Sequence, residues 1–108
     1  MTLRLYLLQR LTAALMVPLI AGHLATIIYA THHGLSATDI LGRTRGSLGW
    51  ALFYGLFVLL ASVHASIGLR SVCADWTPLR GRALTLLMWG FGLLLAFLGA
   101  RAVYAVIA

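Results

Sequence analysis

Residues 62–76, SVHASIGLRSVCADW, carry the most informative pattern in this sequence. This stretch begins inside a long apolar run and ends at a charged boundary that contains Arg70 and Asp75. Such a pattern predicts the end of a membrane span. A histidine inside a span is costly and usually has a partner, so His64 is a candidate functional residue. Gly68 lies one turn further along the same helix face, where it leaves room for a large, flat group against the backbone.

The whole composition agrees with a membrane protein. Of 108 residues, 62% are hydrophobic and 9% are charged, which no soluble single domain matches. Eight arginines, no lysine and two acidic residues give a net charge of +6. The arginines lie at the ends of apolar runs, so we expect them to contact membrane lipid and to set orientation. No basic cluster exists outside these flanks, so nucleic acid is not expected as a partner.

Three apolar runs predict an all-α membrane protein with three transmembrane helices. The spans cover about residues 5–30, 47–70 and 80–106, and residues 1–108 form one membrane domain. Residues 11–30 alone carry no formal charge. At ~1.5 Å per residue they are long enough to cross a hydrocarbon layer of ~30 Å.

Several local signals refine this picture. Pro18 removes one backbone donor in the middle of the first span and is expected to kink it. Residues 36–41 of the first loop are expected to form a short interfacial helix. In the second loop, Thr77 followed by Pro78 predicts the cap and first turn of the third helix.

The third span carries small residues at four-residue steps, at Gly92, Ala96 and Ala100. Such a stripe is typical of a face that packs closely against another helix. Arg101 interrupts the apolar run near its end and must reach the interface or find an anion.

Arginine counting predicts the orientation. One side of the membrane would hold five arginines and the other side three, so the side with five is expected to be cytoplasmic. The five lie on the N-terminal flank and the second loop: Arg4, Arg10, Arg70, Arg80 and Arg82. The N-terminus is therefore expected in the cytoplasm.

His23 and His64 are the only ionisable side chains well inside the first two spans, and they lie at different depths. His64 precedes Arg70 by six residues, roughly 9 Å, and His23 precedes Ala30 by seven, roughly 10 Å, counted from opposite membrane faces. About 11 Å then separates the two along the membrane normal. The two axial nitrogens on one haem iron are only about 4 Å apart, because each bond is about 2 Å long.

The two histidines therefore cannot bind one iron. If both are axial haem ligands, they serve two haems, and each iron takes its other ligand from another chain. The sole cysteine, Cys73, allows no Cys-x-x-Cys-His attachment, so any haem is held by coordination and packing. The alternative is that each histidine bonds to a neighbouring helix. His32 and His33, in the outer loop, are expected to be solvated interfacial residues, with a role in proton transfer as the alternative.

These residues resemble the cytochrome b membrane-anchor subunits of the succinate dehydrogenase and fumarate reductase family. The run His64-x-x-x-Gly68-Leu69-Arg70, with Asp75 after it, is similar to the family's His-x-x-x-Gly-Ile-Arg-x-x-x-x-Asp pattern. In that family the histidine is a haem b ligand near the cytoplasmic side.

The first span carries a second similarity. The tetrapeptide at residues 10–13 is similar to the family's Arg-x-Ser/Thr-Gly pattern, although Ala13 stands where glycine is usual. Gly22-His23 resembles the two-haem branch, in which a Gly-His in helix one binds the haem further from the cytoplasm.

The resemblance implies a set of site residues. Cofactor-binding positions would be His64, His23, Gly68, Arg70 and Arg10, with the two histidines as axial ligands of haem iron. Arg10 and Tyr6 would be the candidates for contact with quinone.

The resemblance also implies an assembly in the bacterial inner membrane. A second three-helix anchor would complete a six-helix bundle around haem b, and two haems shared with that anchor are expected. An iron–sulfur subunit and a flavoprotein would lie on the inner face. Electrons would pass between iron–sulfur clusters, haem and quinone in a succinate dehydrogenase of the tricarboxylic acid cycle. The chain itself would be a non-catalytic subunit, since no nucleotide-binding glycine motif is present. The alternatives are a haem-free anchor of such a complex and an unrelated small membrane scaffold.

Overall fold

The computed structural model describes residues 2–108, and this part of the chain contains four helices and no strand. They are α1 (Leu3–His33), α2 (Ala37–Thr44), α3 (Leu48–Trp76) and α4 (Gly81–Ile107). Three of them, α1, α3 and α4, are long and apolar enough to cross a membrane. The predicted all-α membrane protein with three spans is confirmed.

The first span is one long helix. Thr2 caps it by accepting a hydrogen bond from the Leu5 backbone N–H at 3.2 Å. The helix continues through Pro18 and ends at Gly34, whose φ of +128° suits a residue without a side chain. Pro18 thus does not divide the span, because one missing backbone donor is tolerated inside a long transmembrane helix.

The first loop contains the expected interfacial helix, which extends further than predicted, from Ala37 to Thr44. A capping box fixes its start: the Ser36 hydroxyl accepts from the Asp39 N–H, and the Asp39 carboxylate accepts from the Ser36 N–H. Its end is tied to α4, because the Thr44 hydroxyl donates to the Val106 carbonyl at 2.7 Å. The Gly46 N–H donates to the Ile107 carbonyl at 2.7 Å.

The prediction that Thr77 caps α4 is wrong. Thr77 instead ends α3, since its N–H and its hydroxyl both donate to the Cys73 carbonyl. Proline disfavours helical backbone in the residue before it, so Thr77 is extended, with φ −132° and ψ 164°. The α4 helix begins only at Gly81, whose φ is +64°, and its cap residue Arg80 makes no side-chain capping bond.

The helix α3 is the centre of the molecule. It packs against both α1 and α4, which have little contact with each other. Few apolar residues are buried, and Leu84 of α4 is the most enclosed, with 2% of its surface exposed. Most large apolar side chains of α1 and α4 point outwards, as expected for surfaces that meet lipid or other subunits.

The contact between α3 and α4 uses small residues, but not all of those predicted. At Gly92 an added Cβ would lie 3.1 Å from the Ser66 Cβ, so this glycine allows close approach. At Gly99 an added Cβ would overlap the Val58 side chain. Ala100 is exposed in this chain, and its neighbour Gly99 is the residue that contacts α3. Seven residues make about two helical turns, so Gly92 and Gly99 lie on one face.

Candidate functional site

The first candidate ligand, His64, lies where α3 meets α1. Its ring atom Nδ1 is 3.1 Å from the hydroxyl oxygen of Thr12. Thr12 is almost fully buried, with 2% of its surface exposed, while His64 is half-buried. The sequence alone did not single out Thr12 as the partner of His64.

The other ring nitrogen of His64 is free of such a contact. Within residues 2–108 no hydrogen bond involves Nε2. An imidazole whose Nδ1 is held by a polar partner and whose Nε2 is unpartnered matches the requirement for an axial metal ligand.

Gly68 does not face open space. An added Cβ there would lie 3.5 Å from the Nε2 atom of Gln9 on α1, which is an ordinary van der Waals contact. The side-chain oxygen of Gln9 is buried and accepts no hydrogen bond from the described part of the chain. The expected room beside Gly68 is thus taken in part by a glutamine amide, which could donate to a bound group.

The second candidate ligand, His23, lies beside a cavity of about 370 Å³. Residues of all four helices line this cavity, among them Thr44 of α2 and Gly99 of α4. The His23 ring meets Tyr54 edge to face at a centroid distance of 6.0 Å and Phe57 at 5.7 Å. Its Nδ1 is buried and has no hydrogen-bond partner within residues 2–108.

The contacts give the separation of the two histidines along the bundle. On α1, Thr12 precedes His23 by eleven residues, roughly 16 Å of helix. On α3, Phe57 precedes His64 by seven residues, roughly 10 Å. Both routes exceed the ~4 Å between two ligands of one metal ion by a wide margin. His23 and His64 of one chain therefore cannot bind the same metal ion.

The arginines lie at the edge of the His64 region. Arg10 is exposed, and its guanidinium lies 5.9 Å from the centre of the Tyr6 ring. The two candidates for quinone contact are thus neighbours on the surface of α1, one turn apart. Arg70 is half-buried, six residues beyond His64 on α3. Arg10 and Arg70 both lie towards the same end of the bundle as His64.

A polar cluster at the opposite end was not predicted. Tyr29 and His33, one turn apart on α1, stack with ring centres 4.0 Å apart. Arg43 of α2 lies 5.4 Å from the Tyr29 ring and donates to the Gly34 carbonyl at 3.0 Å. The four-residue spacing of Tyr29 and His33 in the sequence could have indicated this pair, because residues four apart are neighbours on one helix face. His33 is exposed, as expected, but its ring is held by Tyr29.

Asp39 is the acidic residue at this end of the bundle. The hydrogen bond from the Ser36 hydroxyl lowers the pKa of the Asp39 carboxyl below its usual value, and the nearby Arg43 lowers it further. No three His, Cys, Asp or Glu side chains converge anywhere in residues 2–108.

Three long apolar helices, with His23 and His64 between them, define a multi-pass membrane protein. A family model described as "Succinate dehydrogenase/Fumarate reductase transmembrane subunit" matches residues 1–100, and the chain belongs to this family. Comparisons with curated proteins and with solved structures gave no match. The resemblance found in the sequence is therefore confirmed at the level of the family, and the two-haem branch stays a prediction.

Proposed function

We propose that this chain is the haem b-binding membrane anchor of a succinate:quinone oxidoreductase of the two-haem kind. The observation that carries the proposal is His64: a histidine inside a span, held through Nδ1 by Thr12, with Nε2 unpartnered. Membership of the succinate dehydrogenase/fumarate reductase transmembrane family supports it. Haem b, when bound, supplies one-electron transfer between the iron–sulfur subunit and membrane quinone.

The residues present fit the group. His64 offers a free Nε2 and has a polar partner behind the ring. His23 offers an imidazole at the wall of a largely apolar cavity, which would exclude water. The buried amide oxygen of Gln9 and the half-buried Arg70 are polar groups near His64 that could contact polar substituents of a bound group.

The two histidines are not equivalent. A ligand that binds metal through Nε2 keeps a proton on Nδ1, and a buried N–H without an acceptor costs about 1–3 kcal/mol. His64 has an acceptor for this proton and His23 has none within residues 2–108. We therefore propose that the His23 site depends more strongly on the partner subunit, which would supply an acceptor as well as the other axial ligand.

The proposed partners are a second three-helix anchor, the iron–sulfur subunit and the flavoprotein. The broad exposure of large apolar residues on α1 and α4 supports a neighbouring helical subunit within the membrane. The proposed location is the bacterial inner membrane, with the N-terminus in the cytoplasm, and the arginine count supports this orientation. Arg10 and Tyr6 are the proposed contacts for quinone, since the pair is exposed at the end of the bundle where His64 lies.

The test is the reduced-minus-oxidised visible spectrum of the purified complex, with haem counted per copy of this chain. Two b-type haems are expected. His64→Ala should remove one haem, His23→Ala the other, and each should leave the remaining haem in place. His32→Ala is the matched control, because His32 is an exposed residue at the end of α1 and should leave both haems bound.

Other results would change the proposal in defined ways. One haem, lost in His64→Ala alone, would return His23 to a packing role. A complex that contains no haem but retains quinone reductase activity would overturn the haem assignment and leave the haem-free anchor. Purification without an iron–sulfur or flavoprotein subunit would argue against the proposed assembly.

A further inference from the structure

The hydroxyl of Thr12 has three neighbours within hydrogen-bond distance and only one hydrogen. Its oxygen lies 2.9 Å from the Leu8 carbonyl, 3.0 Å from the Gln9 carbonyl and 3.1 Å from Nδ1 of His64. The two carbonyl oxygens can only accept a hydrogen bond, whereas an imidazole nitrogen can donate or accept.

This arrangement decides the direction of the contact with His64. If Thr12 donated to Nδ1, its oxygen would face two carbonyl oxygens at about 3 Å with no hydrogen between them. If it donates to a backbone carbonyl, which is the usual choice for threonine in a helix, its lone pair is free to accept from Nδ1–H. In the second arrangement the hydroxyl hydrogen points towards the backbone carbonyls, and both the hydroxyl and Nδ1–H have a partner.

We infer that Thr12 is a positioning residue for His64: it accepts the Nδ1 proton and thereby holds the ring in the tautomer whose unprotonated Nε2 is available to a metal. The inference rests on the proposed function for its metal, haem iron, but the tautomer follows from the contacts of this chain alone. The backbone carbonyls polarise the Thr12 hydroxyl and make its oxygen a better acceptor.

The hydrogen bond also affects the ligand's strength. An acceptor on Nδ1–H raises the basicity of the imidazole, and partners of this kind typically change metal affinity 10–100-fold. A neutral hydroxyl is a weaker acceptor than a carboxylate, so we expect an effect near the lower limit, roughly tenfold. A more basic ligand favours the oxidised iron, so the bond should lower the reduction potential of the haem held by His64.

The experiment compares Thr12→Val, Thr12→Ser and wild type in the intact complex. Valine keeps the shape of threonine and removes the acceptor, while serine keeps the hydroxyl. Thr12→Val should raise the midpoint potential of one haem by up to about 59 mV, the value for a one-electron couple when the tenfold change falls entirely on the oxidised iron. It should also shift that haem's low-spin electron paramagnetic resonance signal, with the other haem unchanged, and Thr12→Ser should resemble wild type.

The control is Thr85→Val, because Thr85 makes the same kind of bond to a helix carbonyl, that of Gly81, without a histidine neighbour. It should leave both haems unchanged. If the Thr12→Val complex does not assemble, Thr12→Ala also removes the hydroxyl and adds no γ-methyl group in its place. Potentials and resonance signals of Thr12→Val and Thr12→Ala identical to wild type would overturn the inference while leaving the haem assignment intact. A wild-type complex without haem would overturn the proposed function itself, and with it the role of Thr12 toward a metal.

Discussion

The contact between Gly99 of α4 and Val58 of α3 should contribute to the stability of the subunit, and Gly99→Ala tests this. An added Cβ would overlap Cγ1 of Val58, lie 2.9 Å from Cγ2 and lie 3.2 Å from Cβ. Val58 cannot rotate away cheaply, because a β-branched side chain in a helix has one strongly preferred rotamer. Overpacking of this kind typically costs about 1–3 kcal/mol.

The loss of stability caused by overpacking is best measured as the difference between two glycine-to-alanine variants. Gly90 lies on the same helix, and a Cβ added there would meet no atom within 4 Å. Gly99→Ala and Gly90→Ala both gain up to about 1 kcal/mol of helix propensity, so this gain cancels in the comparison. Gly99→Ala should therefore be less stable than Gly90→Ala by about 1–3 kcal/mol, or roughly 5–150-fold in the folding equilibrium.

The assay is unfolding of the purified protein in detergent–lipid micelles, followed through the labelling of its single thiol, that of the half-buried Cys73. The double variant Val58→Ala, Gly99→Ala should recover most of the loss, because it removes the overlapping methyl groups. Equal stability of Gly99→Ala and Gly90→Ala, or a double variant no more stable than Gly99→Ala, would refute the proposed contact.

Two further predictions concern the first loop. Because the hydrogen bond from Ser36 lowers the pKa of Asp39, the ionised carboxylate stabilises the start of α2 above pH 3.8, the ordinary pKa of the group. This stabilisation is lost as the pH falls through the lowered pKa. Ser36→Ala should raise the pKa of Asp39 in a carboxyl NMR titration, and an unchanged titration would contradict the assignment. Thr44→Val removes the hydrogen bond to the Val106 carbonyl and should lower the free energy of unfolding by about 1 kcal/mol. Backbone amides in the last turn of α4 should then exchange hydrogen faster. Exchange equal to wild type would show that this bond does not hold α2 and α4 together.

The number and approximate position of the spans could be predicted from sequence, because length and hydropathy alone determine whether a helix crosses a membrane. The depths of His23 and His64 could also be estimated, since the helix rise is constant and each histidine could be counted from a charged or polar boundary. The contacts at Thr12 and Phe57 give separations along the helices of roughly 16 Å and roughly 10 Å, against about 11 Å estimated from the sequence.

Lateral contacts could not be predicted in the same way. The four-residue stripe led to Ala100, whereas the packing residue is Gly99, because the rotation of α4 depends on its crossing with α3 rather than on its own sequence. Thr77 was assigned to the wrong helix, since Thr-Pro suits both the end of one helix and the start of the next. The partner of His64 lies 52 residues away in the chain, and only the relative position of α1 and α3 brings Thr12 to it.

The central position of α3 has a consequence for the order of assembly. The turn of residues 77–80 joins α3 to α4, so their contact closes a short loop and should form early. By contrast, α1 is separated from α3 by the loop that contains α2, and it gains little from α4. We expect α1 to dock last, on a preformed hairpin. Only at that step does Thr12 reach His64, so the histidine acquires its fixed tautomer at the end of folding rather than at the beginning.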